Sequence, residues 1–164
     1  MPISARLAGG LGTGKGQEGT LGAGNHFRLY PLWTGQLLDH IRDRLIAHLT
    51  DPAEFWGEYA IPTVARNDPH FAPETMWRGP VWANINYFFV EALEQVGERE
   101  LAHTLRDRTL ELVMSQPSIH EYYNSETGQP PATAADTFGW TAAVFIDLAI
   151  QASGEEDNEI REGD

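Results

Sequence analysis

The stretch Pro80-Val81-Trp82-Ala83-Asn84-Ile85-Asn86-Tyr87-Phe88-Phe89-Val90-Glu91-Ala92-Leu93-Glu94-Gln95-Val96-Gly97 decides the fold. Val81, Trp82, Ile85, Phe88, Phe89, Ala92, Leu93 and Val96 recur three and four apart, which puts them on one broad face of an α-helix. Pro80 suits a first helical turn and Gly97 a stop, so the pattern predicts a helix over 80–96. After almost no linker, Leu101, Ala102, Leu105, Leu112 and Val113 mark a second helix over 99–115, ending before Pro117. So short a connection forces the pair antiparallel, as a hairpin. Upstream, Leu37, Leu38, Ile41, Leu45, Ile46 and Leu49 predict a helix over 34–49. Asp51-Pro52-x-Glu54 looks like a further helix start. Downstream, Phe138 to Gln151 is apolar nearly all round, which predicts a buried helix over 137–151 capped by Asp136 or Thr137. No strand pattern occurs, and the class is all-α.

Around this helical body the composition changes. Residues 9–24 hold eight of the sixteen glycines, so residues 1–30 read as a flexible leader. The tract contains the letters of a phosphate loop, Gly9 to Lys15, and of a dinucleotide fingerprint, Gly14-x-Gly16-x-x-Gly19. Neither has the strand before it or the helix after it that such chemistry needs, and Gly16 stands where the phosphate loop requires a hydroxyl. Both are accidents of glycine density. Residues 31–152 form the domain, and 153–164, with six acids against Arg161, read as a disordered acidic tail. The chain's 24 acidic and 11 basic side chains give 164 residues a formal charge of −13, which disfavours nucleic acid and anionic membranes as partners. With no cysteine, thiolate nucleophiles and Cys-based zinc sites are excluded. No apolar run approaches the ~20 residues that span a bilayer. These features suit a cytoplasmic protein with no metal or other cofactor.

Two clusters carry chemistry. Trp77-Arg78-Gly79-Pro80-Val81-Trp82-Ala83-Asn84-Ile85-Asn86 dresses a helix start, where backbone N–H groups lack helical partners, with two indoles, a guanidinium and two carboxamides. Indole faces stack on the C–H face of a sugar ring, and Arg and Asn bond its hydroxyls. Asn84 and Asn86 project about 200° apart on a helix, so helix geometry alone does not aim both at one site. The alternative is a helix packed by Trp82 with one Asn buried and satisfied. The second cluster is Ile119-His120-Glu121-Tyr122-Tyr123-Asn124-Ser125-Glu126-Thr127-Gly128, in a long segment without helical period. A carboxylate among aromatics there suits acid–base catalysis, and equally a solvent-facing loop acid. Asp136 fits a helix cap or a substrate contact, and Phe138 and Trp140 fit core or a stacking wall.

The order of these blocks carries a resemblance. Ile61-Pro62 through Arg66-x-Asp68-Pro69, then Trp77-Arg78-Gly79-Pro80-Val81-Trp82-x-Asn84-Ile85-Asn86-Tyr87, His120-Glu121-Tyr122-Tyr123-Asn124-x-Glu126-Thr127-Gly128 and Ala135-Asp136-x-Phe138-x-Trp140-Thr141-Ala142-Ala143 stand in family order. Over about residues 45–150 the chain resembles the C-terminal part of glycoside hydrolase family 63, in its mannosylglycerate-hydrolase-like and mannosyl-oligosaccharide-glucosidase-like branch. The resemblance implies helical hairpins from an (α/α)6 toroid of twelve helices and inverting α-glycosidase chemistry on an α-glucoside or α-mannoside. It places the general base on Glu121 and a sugar site around Trp77, Arg78, Gly79, Trp82, Asn84, Asn86, Tyr122, Asp136 and Trp140. Ser125 stands where the family usually has Pro, and Gly139 where it commonly has Ser. The block that carries the family's general acid has no counterpart in this sequence. The expectation is therefore part of a glycosidase barrel, with carbohydrate as ligand and the remaining N-terminal part of the barrel as partner. A non-catalytic sugar-binding module and a helical interaction domain are the alternatives.

Overall fold

The computed structural model describes residues 24–162, with side chains through Gly154. The glycine tract up to residue 23, with both accidental phosphate motifs, lies outside the described residues. Four α-helices follow a 3-10 helix at His26–Thr34: α1 Asp39–Leu49, α2 Ala83–Gln95, α3 Arg99–Met114 and α4 Gly139–Glu162. Among the described residues β-pairing is confined to isolated bridges, such as Pro62 with Val81 and Val81 with Tyr123.

The α2–α3 hairpin forms as the sequence predicts, and Gly97 shows why the turn is so tight. Its φ of +85° lets the Gly97 N–H reach the Glu94 carbonyl at 3.1 Å while the Glu98 N–H reaches that of Leu93 at 2.9 Å. These two bonds satisfy helix-end carbonyls in the Schellman pattern. The hairpin's inner faces supply Phe89, Leu93, Ala102 and Leu105 to the main core, where Leu49, Ile61, Trp82, Tyr122 and Leu148 join them. Each such large apolar side chain contributes roughly 1.5–3 kcal/mol by leaving water.

The boundaries depart from the periodicity for identifiable reasons. α2 starts at Ala83 rather than Pro80, because Val81 exchanges backbone hydrogen bonds of 2.8 and 2.9 Å with Tyr123 in extended conformation. α1 starts at Asp39, not Thr34, because Gly35 in the left-handed region (φ +61°) ends the 3-10 helix and the chain must turn before starting again. Asp51-Pro52 gives only a turn, in which the Phe55 N–H donates to the Asp51 carbonyl.

Three expectations are corrected. Residues 25–30, expected as part of a flexible leader, are held in place: Asn25 caps the Phe27 N–H, His26 bonds the Thr63 carbonyl, and Leu29 and Leu32 are buried. Pro31 inside this helix and the glycines before it hide the packing from a periodicity search. α4 continues past 152 to Glu162, in place of the expected disordered tail. Nor is α4 buried all round, for only Thr141 and Leu148 along its described side chains are buried, while Trp140, Ile146 and Ile150 are 61, 58 and 65 % exposed.

Candidate active site

A hairpin-like turn in the 61–82 connection presents Trp77. The Ala72 N–H donates to the Arg78 carbonyl at 2.7 Å and the Arg78 N–H to the Thr75 carbonyl at 2.8 Å, closing it. Gly79 makes the closure possible. At its φ of +151° a Cβ would stand 2.9 Å from the Ala72 carbonyl oxygen and from the Phe71 ring. Its N–H donates to Thr63 Oγ1. Trp77 itself holds φ +62°, a conformation that costs a non-glycine residue of order 1 kcal/mol and persists only where surroundings enforce it. The enforcing contact is its indole, stacked on that of Trp82 at 4.2 Å with planes 12° apart.

Trp82 stacks in turn with Tyr122 at 5.2 Å, and Phe138 meets Trp82 edge-on at 6.4 Å. Trp140 meets Phe138 edge-on at 5.8 Å. Segments far apart in the chain, from Trp77 to Trp140, thus converge in one aromatic rib, as the sequence blocks require. Its members differ in exposure. Trp82 and Tyr122 are 2 % and 1 % exposed and act as support, whereas Trp77 at 46 % and Trp140 at 61 % are open to solvent. Trp82 Nε1 is buried without a hydrogen-bond partner, as are Arg66 Nη1, His120 Nδ1 and Ser125 Oγ on the segments around it.

Glu121 directly precedes Tyr122 in the rib. Its N–H donates to the Ala135 carbonyl at 2.9 Å, and its Oε2 accepts from the Ala135 N–H at 3.4 Å, so backbone and side chain are both registered on the segment entering α4. That segment is tied again by Asp136, which accepts from the Ser118 hydroxyl and the Thr137 N–H. Those two donors hold the Asp136 carboxyl below the ordinary range. The nearby His120 Nδ1, 4.0 Å from Asp136, adds to the effect. Asp136 is therefore a clamp at the approach to α4, not a cap within it. Burial pushes the Tyr123 hydroxyl up, while its oxygen accepts the His120 N–H at 3.1 Å.

The turn after Glu121 is fixed by Asn124, whose Oδ1 accepts from the N–H groups of Glu126 and Thr127 and whose amide donates to Glu74 at 3.0 Å. Arg66, its guanidinium made less basic by burial, donates to the Ser125 carbonyl at 3.3 Å.

Other expected site residues fall differently. Asn86 is 0 % exposed, and its carboxamide is spent on the Ile61 N–H, the Tyr59 carbonyl and Thr109 Oγ1. It braces α2 against α3 and the 59–61 loop, and is withdrawn from the set of sugar contacts. Gly79 serves packing, not contact. Asn84 is half-buried in the first turn of α2, and the Arg78 side chain is exposed. Sequence reading missed Glu74 and Thr133. The Thr133 hydroxyl pairs with that of Tyr122 at 2.7 Å. Both lie in proline-bounded loops without period, so no spacing signals them.

The helical hairpin with its aromatic rib, and a carboxylate at the rib's edge, is part of a fold of the (α/α)6 class. Residues 19–141 match the mannosylglycerate hydrolase MGH1-like glycoside hydrolase domain, and the chain belongs to that family. It is 38 % identical over 101 residues to a mannosylglycerate hydrolase of Thermus thermophilus, covering 60 % of this chain and 24 % of that protein. It is 29 % identical over 121 residues to a mannosyl-oligosaccharide glucosidase of Saccharomyces cerevisiae, covering 62 % of this chain and 14 % of that protein. Among solved structures, a family 63 mannosylglycerate hydrolase of Thermus thermophilus in complex with glucose superposes with a TM-score of 0.64 at 30 % identity, over 76 % of this chain and 31 % of that one. The chain thus spans about a third or less of the length of these relatives. Among the described residues no helix is long and apolar enough to cross a membrane.

Proposed function

We propose that this chain is the sugar-site portion of an inverting α-glycosidase acting on an α-glucoside or α-mannoside, with Glu121 as general base. The observation that carries the reading is the Trp77–Trp82–Tyr122 stack, which joins two distant blocks and seats Glu121 one residue from its inner ring. Trp77 and Trp140 are the stacking platforms, and Arg78 and Asn84 the hydroxyl partners at the rim. An inverting reaction needs two carboxyl groups about 6.5–9.5 Å apart, one to protonate the leaving oxygen and one to activate water. Glu121 supplies the second function, with its carboxylate aligned by the Ala135 N–H. The first belongs to the part of the barrel that this sequence does not contain, so that part is the proposed partner.

Fluoride is a leaving group that needs little protonation, whereas an ordinary glycoside forfeits the ~10²–10⁴-fold that a general acid supplies. The chain alone is expected to release fluoride slowly from an α-glycosyl fluoride and to leave disaccharides intact. Glu121→Gln is expected to abolish the fluoride release. Fluoride release that survives this substitution would remove Glu121 from the role of base. Disaccharide hydrolysis at an enzymatic rate would show that an acid is already present.

A further inference from the structure

Thr63 is a junction between the N-terminal 3-10 helix and the turn that presents Trp77. It is 1 % exposed, and its polar groups are divided between the two sides. Its carbonyl accepts from His26, through the backbone N–H at 3.3 Å and through ring Nδ1 at 2.9 Å. Its N–H donates to the Pro80 carbonyl at 3.1 Å, and its Oγ1 accepts the Gly79 N–H at 2.9 Å. The residue that seats His26 therefore also closes the turn behind Trp77.

A carbonyl only accepts, so Nδ1 of His26 carries a proton and, in the neutral ring, Nε2 carries the lone pair. The side chain is 1 % exposed, and Nε2 meets no hydrogen-bond partner among the described residues. Phe27 and Tyr30 cover the ring, with centroids at 4.3 and 5.4 Å. A proton gained at Nε2 puts a charge in this apolar setting with nothing to receive its N–H. The neighbouring acids are engaged elsewhere. Ile61-Pro62-Thr63-Val64-Ala65 has no ionisable side chain, and Asp68 beyond it binds His70. α2 meets Tyr30 with Phe88 and Phe89, while its Glu91 and Glu94 pair with Gln151 and His103. On α1, Asp39 and Asp43 bind Arg42 and His48 binds Glu54, with His40 and Arg44 exposed. The 3-10 helix itself adds only Arg28 and Tyr30. Burial accordingly pushes the His26 ring below its ordinary value, against a smaller upward pull from the Thr63 carbonyl.

We propose that His26 and Thr63 form an acid-operated latch on the Trp77 turn. While the ring is neutral, the 3-10 helix stays docked and Thr63 holds Gly79. When the ring takes a proton it leaves for water, and the stack of Trp77 on Trp82 comes apart. The docked ring is the weaker base, so the latch is fully stable above about pH 6.5, the ordinary histidine value, and weakens as pH falls below it. The latch stands on geometry alone; its effect on a ligand rests on the sugar-site reading above.

Two measurements on the full chain test it. Nitrogen-15 NMR of the imidazoles is expected to show His26 as the Nδ1–H tautomer near neutrality, taking its second proton only below about pH 6.5. Stacked indoles give an exciton couplet in circular dichroism, and the couplet is expected to be lost in that same step while the helix signal stays. His26→Asn keeps a donor where Nδ1 stands and gains no proton, so its couplet is expected to persist through the step. Thr63→Val removes the Oγ1 acceptor and is expected to weaken the couplet already near neutrality while His26 still titrates; it serves where His26→Asn fails to fold. The proposal is overturned by an Nε2–H tautomer near neutrality, or by a couplet that outlasts protonation of His26. A step that survives His26→Asn, or loss of the helix signal in the same step, overturns it equally. Glucose binding, read by tryptophan fluorescence, is expected above the step and to weaken below it. If the couplet steps while glucose perturbs no tryptophan at any pH, the sugar-site reading falls and the latch stands.

Discussion

Helix α2 carries Ile85, Phe89, Val90, Ala92 and Leu93 into the core, none more than 5 % exposed, whereas the apolar α4 leaves Trp140, Ile146 and Ile150 at 58 % exposure or above. Both read as core-forming segments in the sequence. The difference lies in their surroundings: among the described residues α2 packs against α3, the 3-10 helix and α4, while α4 meets only α2 and α3. Periodicity reports that a face is apolar, not what covers it. Phe27, Trp33, Leu38 and Ile41 form a second exposed apolar set, on the 3-10 helix and the start of α1. On the proposed reading, both sets are places where further hairpins of a toroid would pack. Apolar surface of this kind marks an interaction site more often than a tolerated defect.

The sharpest way to break the comparison is a matched pair of truncations. Leu93→Ala in α2, at 0 % exposure, is expected to lose about 2–5 kcal/mol, from lost burial plus the cavity left behind. Ile150→Ala in α4, at 65 % exposure, is expected to stay within about 0.5 kcal/mol. Urea unfolding followed by circular dichroism measures both, with an unchanged slope required for the values to be compared. Equal losses would mean that the outer face of α4 is covered in solution, and the contrast between the helices would vanish.

The α2–α3 hairpin was legible because its apolar rows, its Gly97 stop and its minimal linker all point the same way. The exposure of α4 was not legible, since it depends on neighbours and not on α4's own residues. At the site, the aromatic residues and Glu121 could be picked out by residue type and family order. Their division into buried and exposed rings could not, because Trp77 and Trp82 are chemically identical and only packing separates a 46 % exposed ring from one at 2 %. Asn84 and Asn86 make the same point. Helix geometry shows that they diverge, but it takes Ile61, Tyr59 and Thr109 to decide which one is spent inside.

A polar pair sharpens the comparison with a smaller effect. Asn86 joins α2 to α3 through a buried bond of 3.0 Å to Thr109, and Gln151 joins α4 to α2 through a bond of 3.1 Å to Glu91 nearer the surface. Asn86→Ala strips the Ile61 N–H of its acceptor in the core and is expected to cost about 1–3 kcal/mol. Gln151→Ala lets water replace the lost partner and is expected to cost a few tenths of that. The same denaturation measurement decides. A loss at Gln151 as large as that at Asn86 would show α4 anchored along its length rather than by its approach.

That approach is the last point of contrast, because α4 is held at its start by the Phe138 N–H on the Ile119 carbonyl and by the Asp136 carboxylate on Ser118 and Thr137, while α2 is held there by backbone bonds between Val81 and Tyr123. The Ser118 hydroxyl and the Thr137 N–H favour the ionised Asp136, so its folded-state pKa lies below the unfolded value near 3.9. A depressed carboxyl pKa contributes stability that is fully present above the unfolded value and is lost as pH falls through the folded one. Asp136→Asn removes the titration and keeps one acceptor. The wild type should therefore exceed the variant in melting temperature by a small margin at about pH 5 and above. The margin should shrink below about pH 4, as wild-type Asp136 takes up its proton. Because the side chain is exposed, salt should reduce the margin at every pH. A difference that grows as pH falls below about 4 would have the opposite sign, and would mean that Ser118 and Thr137 stabilise the protonated acid instead.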